Sequence, residues 1–458
     1  MMTNAFSNSF FKTALMGFSA LALVACETVP EPNRPNTGGQ TGPIVQHPNQ
    51  PGPVNPTPSG SENPDRPERP DDRTQTVERP DPDTGSTPDA NRPIREGISP
   101  THMYGRDVNR LALLLPFSSQ NPRLREEAGS MMRAAELAIF ERDADDTVLI
   151  VLDTHGTESG ARDAAKSAIE RGADVILGPV LAGEVRTVSR EARRKDIPVV
   201  AFSTDQSVAG RGTYLLSFPP EAEVARVVDY AATTGVTNFA ILRPENAYGN
   251  LVAGAYDSAV ARVGGQLTAA ESYRGSDITA MQGPAQALAN YHREASPPGG
   301  KQAFEAILLP EGGTALRSLA PLLPYYNSDT NEVQFLGTAL WMREDTAREP
   351  ALRGGLFAGP DQSTRDAFEG AYERAFGNEP SRLASLAHDA VDIGVVIANG
   401  DPRARRQRAE DYRGFYGADG FVRFNPDGTP DRGLAVYEVT SGSFRIVDPA
   451  PTGPVGIN

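Results

Sequence analysis

The chain has 458 residues, 59 acidic against 44 Lys and Arg side chains, and a formal net charge of −15. That balance disfavours nucleic acid and anionic membrane surfaces as partners. One cysteine in the whole chain, Cys26, excludes an internal disulfide. Lys12 is the only charge before it, and Ala14 to Ala25 is apolar apart from Gly17 and Ser19. That run is too short to span a bilayer and has the length of a secretory h-region.

Leu23-Val24-Ala25-Cys26 resembles the bacterial lipobox. The resemblance implies a signal peptide over 1–25, cleavage after Ala25, and lipidation of Cys26, where a thiol is needed to form the thioether to diacylglycerol. Acyl chains add about 0.8 kcal/mol per buried methylene, so several of them hold a protein firmly. Glu27 stands where inner-membrane retention in proteobacterial lipoproteins uses Asp, which directs the expectation to the outer membrane, facing the periplasm. Residues 26–107 are rich in Pro, Asn, Asp, Gly and Arg, with too few apolar side chains for a core. They read as a disordered, Pro-rich tether that carries a domain through the cell-wall mesh.

From Leu111 the pattern is regular. "LALLLPF" (111–117), "TVLIVLDT" (147–154), "DVILGP" (174–179), "IPVVAFS" (197–203) and "TYLLSF" (213–218) are continuous apolar runs separated by segments of helical spacing. Such runs suit parallel strands covered on both faces by crossover helices. The rhythm restarts with a helix over 221–234, then "FAILRP" (239–244), "LTAAESY" (267–273), "AILLP" (306–310), "VQFLG" (333–337) and "GGLFAGP" (354–360). The segment 420–449 alternates instead, with Asp427-Gly428 and Ser441-Gly442 as turn signals, and predicts hairpin strands added to finished sheets.

The order "LALLLPF", "AGSMMRAAELAIFE", "VLDTHGTESGARDAAKSAIERGADVILGPV", "IPVVAFSTD" and "ENAYGN" resembles the type I periplasmic-binding-protein fold of the Leu/Ile/Val-receptor class. Within it, "ADVILGPVLAGEV", "IPVVAFSTDQSVAGRGTYLLSFPPEAEV" and "FAILRPENAYG" are most similar to the LpoA-type penicillin-binding protein activators. The resemblance implies an α/β domain over 108–449 built of two Rossmann-like lobes, and a tail over 450–458. Lobe one is expected over 108–218 and 360–425, and lobe two over 219–359 and 426–449. The chain then crosses near Pro219-Pro220, near Gly359-Pro360 and after the 421–424 strand.

Ligands of open α/β folds bind at the carboxyl ends of the strands. Residues 116–118, 178–180 and 203–205 are expected at the rim from lobe one, with 246–248, 310–312, Thr338 and Trp341 from lobe two. The candidate ligand-binding residues are Ser118, Ser203, Thr204, Tyr248 and Glu311. Ser203, Thr204 and Tyr248 read equally as turn and cap residues. Amino-acid receptors of the fold have polar residues where this chain has Gly178-Pro179-Val180, and an acid in lobe two. Here Thr338-Ala339-Leu340 follows "VQFLG" without a carboxylate, which leaves Glu311 as the candidate for an ammonium group. Catalytic motifs are missing: there is no G-x-S-x-G elbow, phosphate loop or H-E-x-x-H. The five histidines have no partners at metal spacing, so neither a metal nor another cofactor is expected. The resemblance implies a non-catalytic outer-membrane lipoprotein that binds and activates a class A penicillin-binding protein, a peptidoglycan synthase. The alternative is a solute-binding lipoprotein of an ABC transporter or receptor, taking an amino acid or other small polar ligand.

Overall fold

A computed structural model describes residues 97–142, 146–297, 300–326 and 332–453. Cys26, the signal peptide over 1–25 and the tether up to residue 96 lie outside the described residues, as do the last five positions of the tail.

The first sheet holds β1 (Asn109–Leu115), β2 (Thr147–Asp153), β3 (Val175–Leu177), β4 (Val199–Ala201) and β5 (Thr213–Leu215), all parallel, in the order β2-β1-β3-β4-β5. Its crossovers are α1 (Pro122–Glu141), α2 (Glu158–Glu170) and α3 (Ala182–Arg193). Every residue of β1 is buried, and the alternation of strand side chains explains why. Leu111, Leu113 and Leu115 join one core with α1, while Ala112 and Leu114 join another with α2 and α3. A strand with two buried faces needs the unbroken apolar run that the sequence shows.

The second sheet follows α4 (Pro220–Thr233). It contains β6 (Asn238–Pro244), β7 (Gln266–Tyr273), β8 (Ala306–Leu308), β9 (Gln334–Gly337) and β10 (Leu356–Gly359), joined by α5 (Ala247–Arg262), α6 (Ile278–Ala295), α7 (Gly313–Leu319), α8 (Leu322–Tyr325) and α9 (Glu344–Ala347). Phe239 and Ile241 of β6 pack towards α4 and α5, and Ala240 and Leu242 towards α6 and α7. The chain then returns to the first core through α10 (Gln362–Phe376) and α11 (Ala384–Ala398), whose Tyr372, Ala387 and Val391 are buried against α1 and β1. A short helix α12 (Arg405–Ala409) leads to β11 (Phe415–Gly417), β12 (Gly420–Phe424) and β13 (Pro430–Arg432). The last strands, β14 (Ala435–Val439) and β15 (Phe444–Asp448), extend the second sheet antiparallel from β10. This is the α/β, two-lobed fold expected from the sequence. No helix among the described residues is long and apolar enough to cross a membrane.

Two sequence expectations need correction. Composition places residues 97–107 in the tether, yet Met103 is buried, Ile98 N–H donates to the Arg171 carbonyl (3.0 Å), and the buried Arg110 guanidinium donates to the Ile98 carbonyl (2.8 Å) and Ser99 Oγ (3.1 Å). A polar segment docks here because it satisfies a buried cation, which composition does not reveal. The resemblance places 426–432 in lobe two, but β13 pairs with β12 in a separate three-stranded sheet, so the third crossing falls after Arg432.

The three crossing segments hold one another. Phe218 packs against a core of each lobe, and the Arg432 guanidinium lies 3.9 Å above its ring. Tyr437 Oη donates to the Pro360 carbonyl (2.7 Å) and accepts from the Gln362 N–H (3.0 Å).

Candidate functional site at the carboxyl ends of the strands

Polar side chains at the strand ends first serve the helices that follow. Thr157 Oγ1 accepts from the Gly160 N–H (3.1 Å) to start α2, Asn246 Oδ1 accepts from the Gly249 N–H (2.7 Å) to start α5, and Asp361 caps α10. Each satisfies an otherwise unpaired first-turn donor. Gly178, with φ of 92°, brings the backbone against β1, where a Cβ would lie 2.4 Å from the Leu114 carbonyl.

In lobe one, Asp153 Oδ1 accepts from the His155 N–H (2.8 Å) and the Ser118 N–H (3.3 Å). Ser118 Oγ lies 2.5 Å from His155 Nδ1, and Asp153 Oδ2 lies 3.1 Å from the same nitrogen. Partial burial works against the Asp153 charge, but Ser118 and His155 outweigh it and hold the carboxyl below its usual range. A hydrolytic Ser-His-Asp relay needs its two partners on different imidazole nitrogens. Here both meet Nδ1, so the trio orders the turn after β2. Ser203 is buried and its Oγ accepts from the Asp205 N–H (3.2 Å), which makes it a turn residue. Thr204 is exposed. Glu184, in the first turn of α3, is 1% exposed, and burial pushes its carboxyl up to about 7 against the pull of Thr154 and the Leu181 N–H. Neither of those approaches meets hydrogen-bond geometry.

In lobe two, Tyr248 Oη is bonded to Thr338 Oγ1 (2.8 Å), and burial raises its pKa. Glu311, the expected ammonium ligand, accepts from Tyr273 Oη (2.8 Å), and burial raises its pKa too. A carboxyl that is already bonded and shifted towards its neutral form is a poor partner for a cation. Thr338 and Trp341 are not rim residues, because both are fully buried. Trp341 Nε1 donates to the Leu309 carbonyl (3.2 Å), and the indole fills the space beside Gly337, where a Cβ would lie 2.2 Å from it.

The carboxylate missing after β9 in sequence is supplied from elsewhere. Glu223, in the first turn of α4 just past the first crossing, is buried, and its Oε2 accepts from the Ala339 N–H (2.9 Å). Burial pushes it up to about 7, with Ala339 and the Arg382 charge acting the other way. Arg382, exposed before α11, thus brings a lobe-one cation within electrostatic reach of Glu223 and Tyr248. Sequence reasoning missed Glu184, Glu223 and Arg382. For the two acids the available signal was a glutamate in the first turn of each helix, in "LAGEV" and "PPEAEV". No group of three or more His, Cys, Asp or Glu among the described residues is arranged to hold a metal ion.

Two sheets, one parallel and one mainly parallel, joined by three crossings, with their helix-capped strand ends, define a two-lobed binding protein rather than an α/β hydrolase. Residues 110–443 match the model of the periplasmic binding protein family, and the chain belongs to that family. Similar solved structures include a putative branched-chain amino acid ABC transporter from Rhodospirillum rubrum, with TM-score 0.64 and 17% identity, covering 74% of this chain and 100% of that one. Another is an ABC transporter substrate-binding protein from Sphaerobacter thermophilus, with TM-score 0.58 and 18% identity, covering 75% and 98%. At these identities the shared property is the fold. Over 152 residues the chain is 28% identical to the penicillin-binding protein activator LpoA of Vibrio cholerae, which is 32% of this chain and 24% of that protein. The match thus spans about a quarter of the length of these curated relatives. Both resemblances read from the sequence, to the type I fold and to the LpoA-type activators, are borne out.

Proposed function

We propose that this is an envelope lipoprotein, anchored through Cys26 to the outer membrane, whose two-lobed domain binds and activates a class A penicillin-binding protein on the periplasmic side. It supplies binding energy and no chemistry. A partner of this kind raises an enzyme's activity by binding its active state more tightly than its inactive one. The observation that carries the reading is the likeness to LpoA, a named activator. The strand ends support it over solute transport, because Ser203, Tyr248, Thr338 and Glu311 are engaged within the protein and leave a thin cage for an amino acid. The segment from Cys26 to about residue 96 serves as the tether from membrane to synthase. The second reading, a solute-binding protein of an ABC transporter, draws on the fold of the solved neighbours and on the exposed Ser118 and Thr204.

Crosslinked envelopes test the first reading. Pull-down followed by mass spectrometry should recover a class A synthase, and recovery of a transporter permease instead would favour the second. Cys26→Ser tests the anchor, since fractionation should move the protein out of the outer-membrane fraction. Retention there would refute lipid anchoring at Cys26.

A further inference from the structure

Away from the strand carboxyl ends, where β4 and β5 begin, a cavity of about 220 Å³ is lined by Ser189, Arg193, Asp196, Arg211, Thr213 and Arg406. The three guanidinium groups come from the end of α3, the turn before β5 and α12. None of them has an ion pair or side-chain hydrogen bond among the described residues. Other arginines of the domain do have acidic partners, as Arg226 with Asp448 and Arg262 with Asp229 (both 2.8 Å), and Arg365 with Asp419 (3.0 Å). Asp196 is the one acid in the lining, so three basic residues there stand against one acidic residue. The floor is polar and buried: Thr213 Oγ1 donates to Ser189 Oγ (2.9 Å), which leaves the Ser189 O–H free to donate.

A local excess of unpaired arginine on a chain of net charge −15 focuses positive potential on this cavity. One guanidinium fork is enough to satisfy a carboxylate, whereas three suit the several oxygens and higher charge of a phosphate. We propose that the cavity is a binding site for a soluble phosphate compound of the monoester or diphosphate class. The forks of Arg193, Arg211 and Arg406 hold the oxygens, and Ser189 donates from the floor. A phospholipid headgroup carries the same chemistry, but the overall negative charge opposes approach to an anionic bilayer. This site is independent of the synthase reading.

Calorimetric titration of the full chain with inorganic pyrophosphate at low ionic strength tests it. The expected result is saturable binding that weakens with salt. It should weaken about tenfold in Arg193→Ala or Arg211→Ala, and disappear when Arg406→Ala is added to both. Arg193 and Arg211 are exposed, so those variants should keep the wild-type melt. Flotation with vesicles containing phosphatidic acid separates the two sources. No saturable binding of pyrophosphate by the wild type at millimolar concentration would overturn the proposal, whatever the variants do. So would equal binding by a folded triple variant, or binding to the vesicles alone.

Discussion

Glu223 carries a pH dependence that can be isolated. Its folded pKa is raised from 4.5 to about 7 by burial, so between those values the folded state binds more protons than the unfolded chain. Its contribution to stability is therefore full below about pH 4.5, falls as pH rises through that window and stays low above about 7. A shift of this size corresponds to about 3 kcal/mol. Glu223→Gln keeps an acceptor for the Ala339 N–H but cannot ionise. Denaturant titrations at several pH values should show it more stable than wild type by about 1–3 kcal/mol near pH 8, and indistinguishable near pH 4. An unchanged difference across that range would show that Glu223 does not titrate there. Gly337 gives a steric counterpart. Gly337→Ala places a methyl against Trp341 in a filled core and should cost about 1–3 kcal/mol, read as a lower denaturation midpoint at unchanged slope. These residues were hard to read from sequence for a physical reason. A first-turn acid such as Glu223 looks like a partner of the helix dipole, and only the packing of "GTALW" against α4 shows that it is buried. Ser203, by contrast, was read as either ligand or turn residue, and its bond to the Asp205 N–H places it in the turn.

At the scale of elements, the parallel strands were legible because each buries both faces and writes that as an apolar run. Leu111–Leu115 divides between two cores residue by residue. The hairpins were legible from Asp427-Gly428 and Ser441-Gly442, but their destinations were not. Sheet membership depends on backbone pairing, and β13 joins β12 where the alternating pattern gives no sign of it. The segment 97–107 escaped in the same way, since its role is to supply carbonyl and hydroxyl acceptors to Arg110. A chain beginning at residue 94 should melt like the full chain. One beginning at Gly105 loses the Ile98 and Ser99 acceptors of the Arg110 guanidinium, so it should lose about 1–3 kcal/mol. Equal midpoints for the two truncations would mean that the segment contributes nothing to the fold.

For the whole molecule, the fold is that of a binding protein, and the likeness to a penicillin-binding protein activator supports the proposed partner. Two strand-end pairs close within lobe two, Glu311 on Tyr273 and Tyr248 on Thr338, while the Arg382 charge of lobe one acts on Glu223 of lobe two. Such an arrangement can support a docking domain whose cleft is structural. It leaves little unpaired polarity for the carboxylate and ammonium of an amino acid. Synthase activation is tested by a glycan-polymerisation assay with a purified class A penicillin-binding protein, run beside calorimetry of this protein with a panel of amino acids. The proposed activation requires faster polymerisation when the protein is added and no amino-acid binding. Micromolar binding of any amino acid, with no effect on the synthase, would contradict it.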